Sequence, residues 1–297
     1  MPLYTAFDVV MLLLIIPYRL VVPVWGGRPP DFALSPNFLL WRKTPNVRPM
    51  CKFVIMCREM HRSNDFWLWF CAVATAVVVG TLSVLFYPVE NPDCAARYAP
   101  MADAFARGDW YESFHPRFCV LFQVLTGSLA WLTGCSGLTS CQVVSAIFLG
   151  LAVVPYWHVM RRIFGDPAVA WLSVAVLLVI PRISGDAMNG LRDIGRILGI
   201  ALWLLGFMRM IEHKPSALLQ AGGLLLLATL KIDCFAPAAV MCAATLAVAA
   251  RGRQWRVALS SAAAFLAGGA LVSAMVWSYT GWFVPAPQYI SFLKGLL

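Results

Sequence analysis

The chain has 297 residues, of which 61% are hydrophobic and only 12% are charged. A soluble domain carries about 25% charged residues, so this composition excludes a nucleic-acid-binding domain, a disordered chain and an ordinary cytosolic enzyme. It predicts an all-α, polytopic integral membrane protein whose first partner is the lipid bilayer. The net charge of +9 is therefore interpreted as membrane topology, from the positions of the basic residues.

Seven apolar segments have lengths close to the roughly 20 residues that cross a bilayer. The predicted spans, in chain order, are 66–86, 141–160, 167–183, 194–211, 216–230, 235–250 and 256–277. Asp166 followed by Pro167 is typical of an N-cap and first helical position, which predicts that a helix begins there. Two further apolar stretches are ambiguous: residues 9–25 are interrupted by prolines and an arginine, and residues 118–132 are short.

Charge divides the chain into two regions. Residues 1–65 contain an apolar, interfacial segment and then a basic stretch with seven lysines and arginines between positions 26 and 62. Such a stretch is predicted to be cytoplasmic, because basic residues near spans stay on that side. Residues 66–297 form the predicted transmembrane domain, with residues 87–117 as its first outer loop.

The basic residues of the later loops decide whether 118–132 crosses the membrane. If it does not cross, all seven of these residues are cytoplasmic: Arg161, Arg162, Arg209, Lys214, Arg251, Arg253 and Arg256. If it crosses, all seven move outside. We therefore interpret 118–132 as a re-entrant or interfacial helix. This choice places Asp93, Asp193 and other ionisable groups together on the outer face, which indicates a functional site there.

The outer loop contains a helical apolar pattern. Tyr98, Met101, Ala102 and Phe105 recur at i, i+3, i+4 and i+7, which predicts a short amphipathic helix on the membrane surface. Asp93 precedes this helix and has three open interpretations. It is a solvated loop acid, an N-cap of the helix, or a general base or metal-binding carboxylate.

The order of short motifs along the chain is distinctive. It consists of Asp93 within ENPD, then Gly108-Asp109-Trp110, His115-Pro116, Arg161-Arg162-Ile163-Phe164-Gly165, Leu191-Arg192-Asp193, and a Gly-rich span that ends at Thr229-Leu230-Lys231. Over residues 66–297 this order resembles the GT-C membrane glycosyltransferases, within the protein O-mannosyltransferase-like superfamily that includes the aminoarabinose transferases of lipid A. Members are usually longer, so we expect a fragment or a shortened member.

The resemblance implies transfer of a sugar from a polyprenyl-phosphate donor to a lipid, glycan or protein acceptor on the outer face. It implies catalytic roles for Asp93 and Asp193 and a substrate-binding role for Lys231. Glu90, at the end of the first span, and His115 are further candidates for substrate binding. The resemblance implies no definite cofactor, and it leaves open whether the reaction requires a divalent metal ion. The similarity to lipopolysaccharide-type enzymes favours the bacterial inner membrane, with the active site on the periplasmic face.

The chemistry of such a transfer also points to these residues. The leaving phosphate is anionic, so a cation must stabilise it, and Lys231 and Arg192 are candidates on the predicted outer face. The acceptor hydroxyl loses a proton to a carboxylate, for which Asp93 is the candidate. A single displacement would invert the anomeric centre. Asp193 would orient the acceptor or pair with a basic group.

Structural interpretations of the same residues stay open. Asp193 suits the dipole at a helix N-terminus, Lys231 suits the end of a span, and His115 suits a stack with neighbouring aromatic residues. A transporter or flippase without chemistry is the alternative function, and an inactive GT-C fragment is a further one. The clustering of polar residues at span ends, away from span centres, favours the enzyme.

Overall fold

The computed structural model describes residues 48–86, 92–114, 120–230 and 232–280. These residues are predominantly helical and contain no strand, which confirms the all-α prediction for the described part of the chain. The chain divides into two compact units, Met1–Glu59 and Met60–Leu297. In the first unit only the last residues are described, and they are helical. The ambiguous apolar stretch at 9–25 lies outside the described residues.

Helices follow one another closely along the chain. They are α1 Arg48–Phe86, a π-helical turn Cys94–Tyr98, α2 Ala99–Ala106, α3 Trp110–Phe114, α4 Val120–Thr133, α5 Gly137–Phe164, α6 Pro167–Val179, α7 Pro181–Met188, α8 Ile194–Ile211, α9 Ala217–Leu230, a 3-10 turn Ile232–Cys234, α10 Phe235–Arg251 and α11 Trp255–Thr280. Every predicted span coincides with a helix or with the α6–α7 pair. Helix α1 begins well before the predicted start at residue 66, since neither Pro nor Gly interrupts the chain between Pro49 and residue 66.

Four helices among the described residues are long and apolar enough to cross a membrane. They are Asp65–Phe86, Gly137–Phe164, Ile194–Ile211 and Trp255–Ser278. Helices α9 and α10 are apolar but shorter, with 14 and 17 residues. The structure therefore supports a helical protein with several candidate spans, and the predicted total of seven spans stays a prediction.

The span predicted at 167–183 is broken into α6 and α7, which are bent by 56°. The cause is Pro181, because a residue before proline avoids the α conformation. Ile180 accordingly has a ψ of 115°, and α6 ends at Val179. The helix start was predicted correctly, since the Asp166 carboxylate accepts a hydrogen bond from the Ala168 N–H at 2.7 Å.

Helix α5 links two ends of the helical assembly. Its 28 residues extend about 42 Å at 1.5 Å per residue. At its first residue, the Gly137 N–H donates to the Asp103 carboxylate at 2.6 Å. Near its last turn, Arg162 Nε lies 3.2 Å from Glu212 Oε1. We call these the predicted outer end and the predicted inner end, following the positive-inside assignment.

Helix α4 covers most of the ambiguous segment 118–132. Its 14 residues extend about 21 Å, which is less than the roughly 30 Å of a bilayer core. Val120 packs against Val272 and Val276 in the last part of α11. The other end of α4, at Thr133, leads directly into the first residue of α5. One end of α4 therefore packs on the end of α11 and the other adjoins the start of α5, and the non-crossing interpretation of 118–132 stays a prediction.

Helices α8 and α9 pack closely through glycine. A Cβ atom at Gly223 would lie 2.6 Å from the Gly199 carbonyl oxygen and 2.7 Å from the Trp203 backbone nitrogen. Only glycine permits this approach of two backbones, as in membrane helix pairs generally. The packing fixes the position of the first turn of α8, which follows Arg192 and Asp193 in the chain.

Candidate functional site

Asp93 lies at the start of the outer segment, which we define as residues 92–114. The Asp93 carboxylate accepts a hydrogen bond from Arg97 Nη1 at 2.5 Å, and both side chains are about half exposed, at 46% and 45%. Its side chain makes no capping hydrogen bond to the helix, so the N-cap interpretation of Asp93 is not realised. The ion pair holds the carboxylate in one orientation at a surface that a substrate can reach.

Tyr98 connects the outer segment to the head of α8. The guanidinium carbon of Arg192 lies 4.9 Å from the centroid of the Tyr98 ring. Both side chains are buried, and the Tyr98 ring also packs edge-on against Phe122 in α4. Asp93 is little more than one helical turn from Tyr98. The contact therefore brings Asp93 and Arg192 to the same end of the structure.

Two further carboxylates follow at the head of α8. Asp193 forms an ion pair with Arg196, three residues later. Asp186, in α7, pairs with Arg182 at 3.2 Å and also experiences the charges of Asp193 and Arg196. The negative charges of Asp186 and Asp193 repel each other, and the arginines beside them offset that repulsion. The two aspartates and their two arginines form a cluster of mixed charge near the predicted outer end.

The backbone before Arg192 is fixed to α5. Ser145 Oγ donates to the Leu191 carbonyl at 2.9 Å, and Gln142 Nε2 donates to the Met188 carbonyl at 3.1 Å. Gly190 between them has a φ of +69°, in the left-handed region that favours glycine. These bonds determine where the chain turns into α8 and therefore where Arg192 lies.

Comparisons with known proteins add nothing to this geometry. No protein-family model, curated protein or solved structure matches the chain.

Three predicted site residues, Glu90, His115 and Lys231, lie outside the described residues. Leu230, which precedes Lys231 in the sequence, belongs to the same buried cluster as Tyr98 and Ile194. The end of α9 thus packs on the same core that supports Tyr98. The substrate-binding roles of the three residues stay predictions.

The part of the chain that the structure describes contains no complete set of ligands for a divalent metal ion. No group of three His, Cys, Asp or Glu side chains there is placed to hold a metal ion. Asp186 and Asp193 supply two carboxylates, but each is already paired with an arginine. No step of the chemistry proposed below passes through a metal.

Several residues of the site received no role from the sequence. Arg97, Arg182 and Arg196 are each three or four residues from an aspartate on the same helical stretch, and this spacing is itself a detectable signal. Tyr98 was predicted only as part of an apolar helix face. Its contact with Arg192 depends on tertiary packing, for which the sequence gives no local signal.

Proposed function

We propose that the protein is an integral-membrane glycosyltransferase. It takes a sugar from a polyprenyl-phosphate donor and transfers it to a lipid, glycan or protein acceptor on the outer face of the bacterial inner membrane. The observation that supports the proposal is the Tyr98–Arg192 contact, because it joins the outer segment, which contains Asp93, to the head of α8, where Asp193 follows Arg192. The long apolar helices agree with a donor that lies in the bilayer.

The proposed reaction is a single displacement. The acceptor oxygen attacks the anomeric carbon, and the bond between that carbon and the phosphate oxygen breaks. The electron pair leaves with the polyprenyl phosphate, and the acceptor proton passes to a carboxylate. Asp93 is assigned this proton, because its carboxylate is about half exposed and oriented by Arg97. The anomeric configuration inverts, since the step needs no covalent intermediate.

Positive charge is required where the phosphate leaves. Arg192 is only 2% exposed, so we assign it an electrostatic and positioning role behind Tyr98. Lys231, which follows the buried end of α9, is assigned the direct contact with the phosphate. Asp193 is held by Arg196 and is assigned the orientation of the acceptor. Together these residues would act on charge that develops during the transfer.

Transfer can be tested with the full-length chain in membranes. Polyprenyl phosphates that carry a radiolabelled hexose or pentose are added, and label is counted in the lipid, glycan and protein fractions. Asp93→Asn should reduce the label by a factor of about 100 or more, as expected for loss of a general base. Asp166→Asn is the matched control, because asparagine also caps a helix and Asp166 lies at the predicted inner end.

The results separate the proposal from its alternatives. Label above the level of membranes without the protein, lost in Asp93→Asn and retained in Asp166→Asn, supports the enzyme. Equal transfer by wild type and Asp93→Asn contradicts the assignment of Asp93. Absence of transfer for every donor contradicts the proposed activity and favours an inactive fragment or a transporter.

A transporter or flippase is the second candidate function. The observation that favours it is the 56° break between α6 and α7, because broken helices often form the substrate sites of transporters. A transporter would move a labelled polyprenyl-phosphate sugar across reconstituted vesicles without cleaving it. Recovery of intact donor on the far side, with no labelled acceptor, would select this candidate.

A further inference from the structure

A groove of about 380 Å³ opens on the surface of the outer segment. Pro100 and Met101 line it, and the charged side chains of Arg97, Arg107 and Glu112 surround it. The groove adjoins the proposed base, because Arg97 forms the 2.5 Å ion pair with Asp93. A group bound here would lie beside the carboxylate that the proposed function uses.

The three charged side chains of the groove differ in whether they already form an ion pair. Arg97 is occupied by Asp93. The side chains of Arg107 and Glu112 form no ion pair or hydrogen bond within the part of the chain that the structure describes. Their backbone N–H groups are used instead: that of Arg107 donates to the Asp103 and Ala104 carbonyls, and that of Glu112 donates to Asp109 Oδ1 at 3.2 Å. The groove thus offers one uncommitted guanidinium and one uncommitted carboxylate.

A guanidinium binds phosphate oxygens through paired N–H donors, and it does so better than an ammonium. The carboxylate of Glu112 opposes a second negative charge on the ligand. The lining side chains Arg97, Arg107 and Glu112 carry a formal charge of +1, and Asp93, which pairs with Arg97, brings the local charge to zero. This balance favours a singly charged phosphodiester over a doubly charged phosphate monoester.

We propose that this groove binds a phosphodiester, with the guanidinium of Arg107 as its direct contact. Trp110 and Tyr111 are 62% and 58% exposed at the adjoining helix, as aromatic side chains are at a membrane surface. Identifying the bound phosphodiester as a substrate of the sugar transfer rests on the proposed function. The binding of the phosphodiester does not.

Binding can be measured by calorimetry on the purified full-length chain in detergent. The probes are dioctanoyl-phosphatidylglycerol, its soluble headgroup glycerophosphoglycerol, and glycerol phosphate as the monoester. Arg107→Gln should weaken binding of phosphatidylglycerol about tenfold, and Arg107→Lys should weaken it less. Glu112→Gln should bind glycerol phosphate about threefold more tightly than wild type, because it removes a repulsive charge.

Arg251→Gln is the matched control for charge. Arg251 is an exposed arginine at the end of α10, outside both the groove and the candidate site. Arg251→Gln should bind phosphatidylglycerol as wild type does. Size-exclusion profiles and melting temperatures show that each variant is folded. Equal losses in Arg107→Gln and Arg251→Gln, or weaker glycerol phosphate binding by Glu112→Gln, would overturn the site.

The probes also identify the source of the phosphodiester. Binding of the lipid alone supports a site for a membrane-borne ligand, and equal binding of the headgroup supports a site for a soluble one. Failure of all three probes overturns the proposal. If the binding pattern holds while wild type transfers no sugar, the proposed function fails and the phosphodiester site stands.

Discussion

The guanidinium of Arg192 lies over the ring of Tyr98, 4.9 Å from its centroid, and both side chains are 2% exposed. A buried contact of this type contributes about 2 kcal/mol. It joins the outer segment to the head of α8, two regions that are far apart in sequence. The positions of Asp93 and Asp193 relative to each other depend on this joint.

Replacing the ring of Tyr98 should therefore impair both stability and transfer. Tyr98→Leu removes the aromatic face, and we expect a lower melting temperature together with a fall in sugar transfer of about tenfold. Tyr98→Phe keeps the ring face over Arg192 and should retain most of the transfer. Scanning fluorimetry and the radiolabel assay measure the two effects. Equal transfer by the Leu and Phe variants would contradict the positioning role.

Gly190 is expected to be intolerant of any side chain. Its φ is +69°, and a Cβ atom would lie 2.9 Å from the Gln142 backbone nitrogen. Gly190→Ala should destabilise the fold by about 1–3 kcal/mol, measured by denaturation in detergent. Gly185→Ala, in α7, is the control because open space surrounds that position, and it should be neutral or stabilising by about 0.5–1 kcal/mol.

At the predicted inner end, Glu212 should make stability depend on pH. A hydrogen bond from Lys214, together with the charge of Arg162, lowers the pKa of Glu212 below its ordinary value of 4.5. The ionised carboxylate therefore stabilises the fold above pH 4.5, and this contribution is lost as the pH falls through the lowered pKa. Melting temperatures of wild type and Glu212→Gln should differ at neutral pH and converge in acid. A difference that stays constant down to about pH 3 would contradict the account.

Chemical labelling of cysteines tests which residues at the predicted outer end are exposed and which are buried. Cys135, in the loop between α4 and α5, is partly exposed, whereas Cys94 in the π-helical turn is fully buried. A membrane-impermeant maleimide added to intact cells should modify Cys135, and Cys135→Ser should lose that increment of label. Cys94→Ser should leave the labelling unchanged. Loss of label in Cys94→Ser alone would contradict the packing of the outer segment.

The sequence predicted the helices well because their signals are local. Each predicted span has a run of apolar residues, and Asp166-Pro167 marked the start of α6 correctly. The break between α6 and α7 at Pro181 was not predicted, because apolar residues continue across it and hydropathy carries no information about backbone conformation.

The site was predicted less completely than the fold. The sequence singled out Asp93, Arg192 and Asp193, and topology placed them on one face. Arg97 and Arg196, the partners of Asp93 and Asp193, follow them at helical spacing, so these ion pairs could have been predicted from the sequence. The Tyr98–Arg192 contact was not, because it forms only when the outer segment, α4 and α8 pack together.

The central claim is that Asp93, Arg192 and Asp193 form one site on one side of the membrane. Reporter fusions after Arg162 and, separately, after Gly190 test this most directly. We predict a cytoplasmic signal after Arg162 and an outer signal after Gly190, which requires that 118–132 does not cross. Reversed signals would put Asp93 and Asp193 on opposite sides of the bilayer and contradict the single-site transferase.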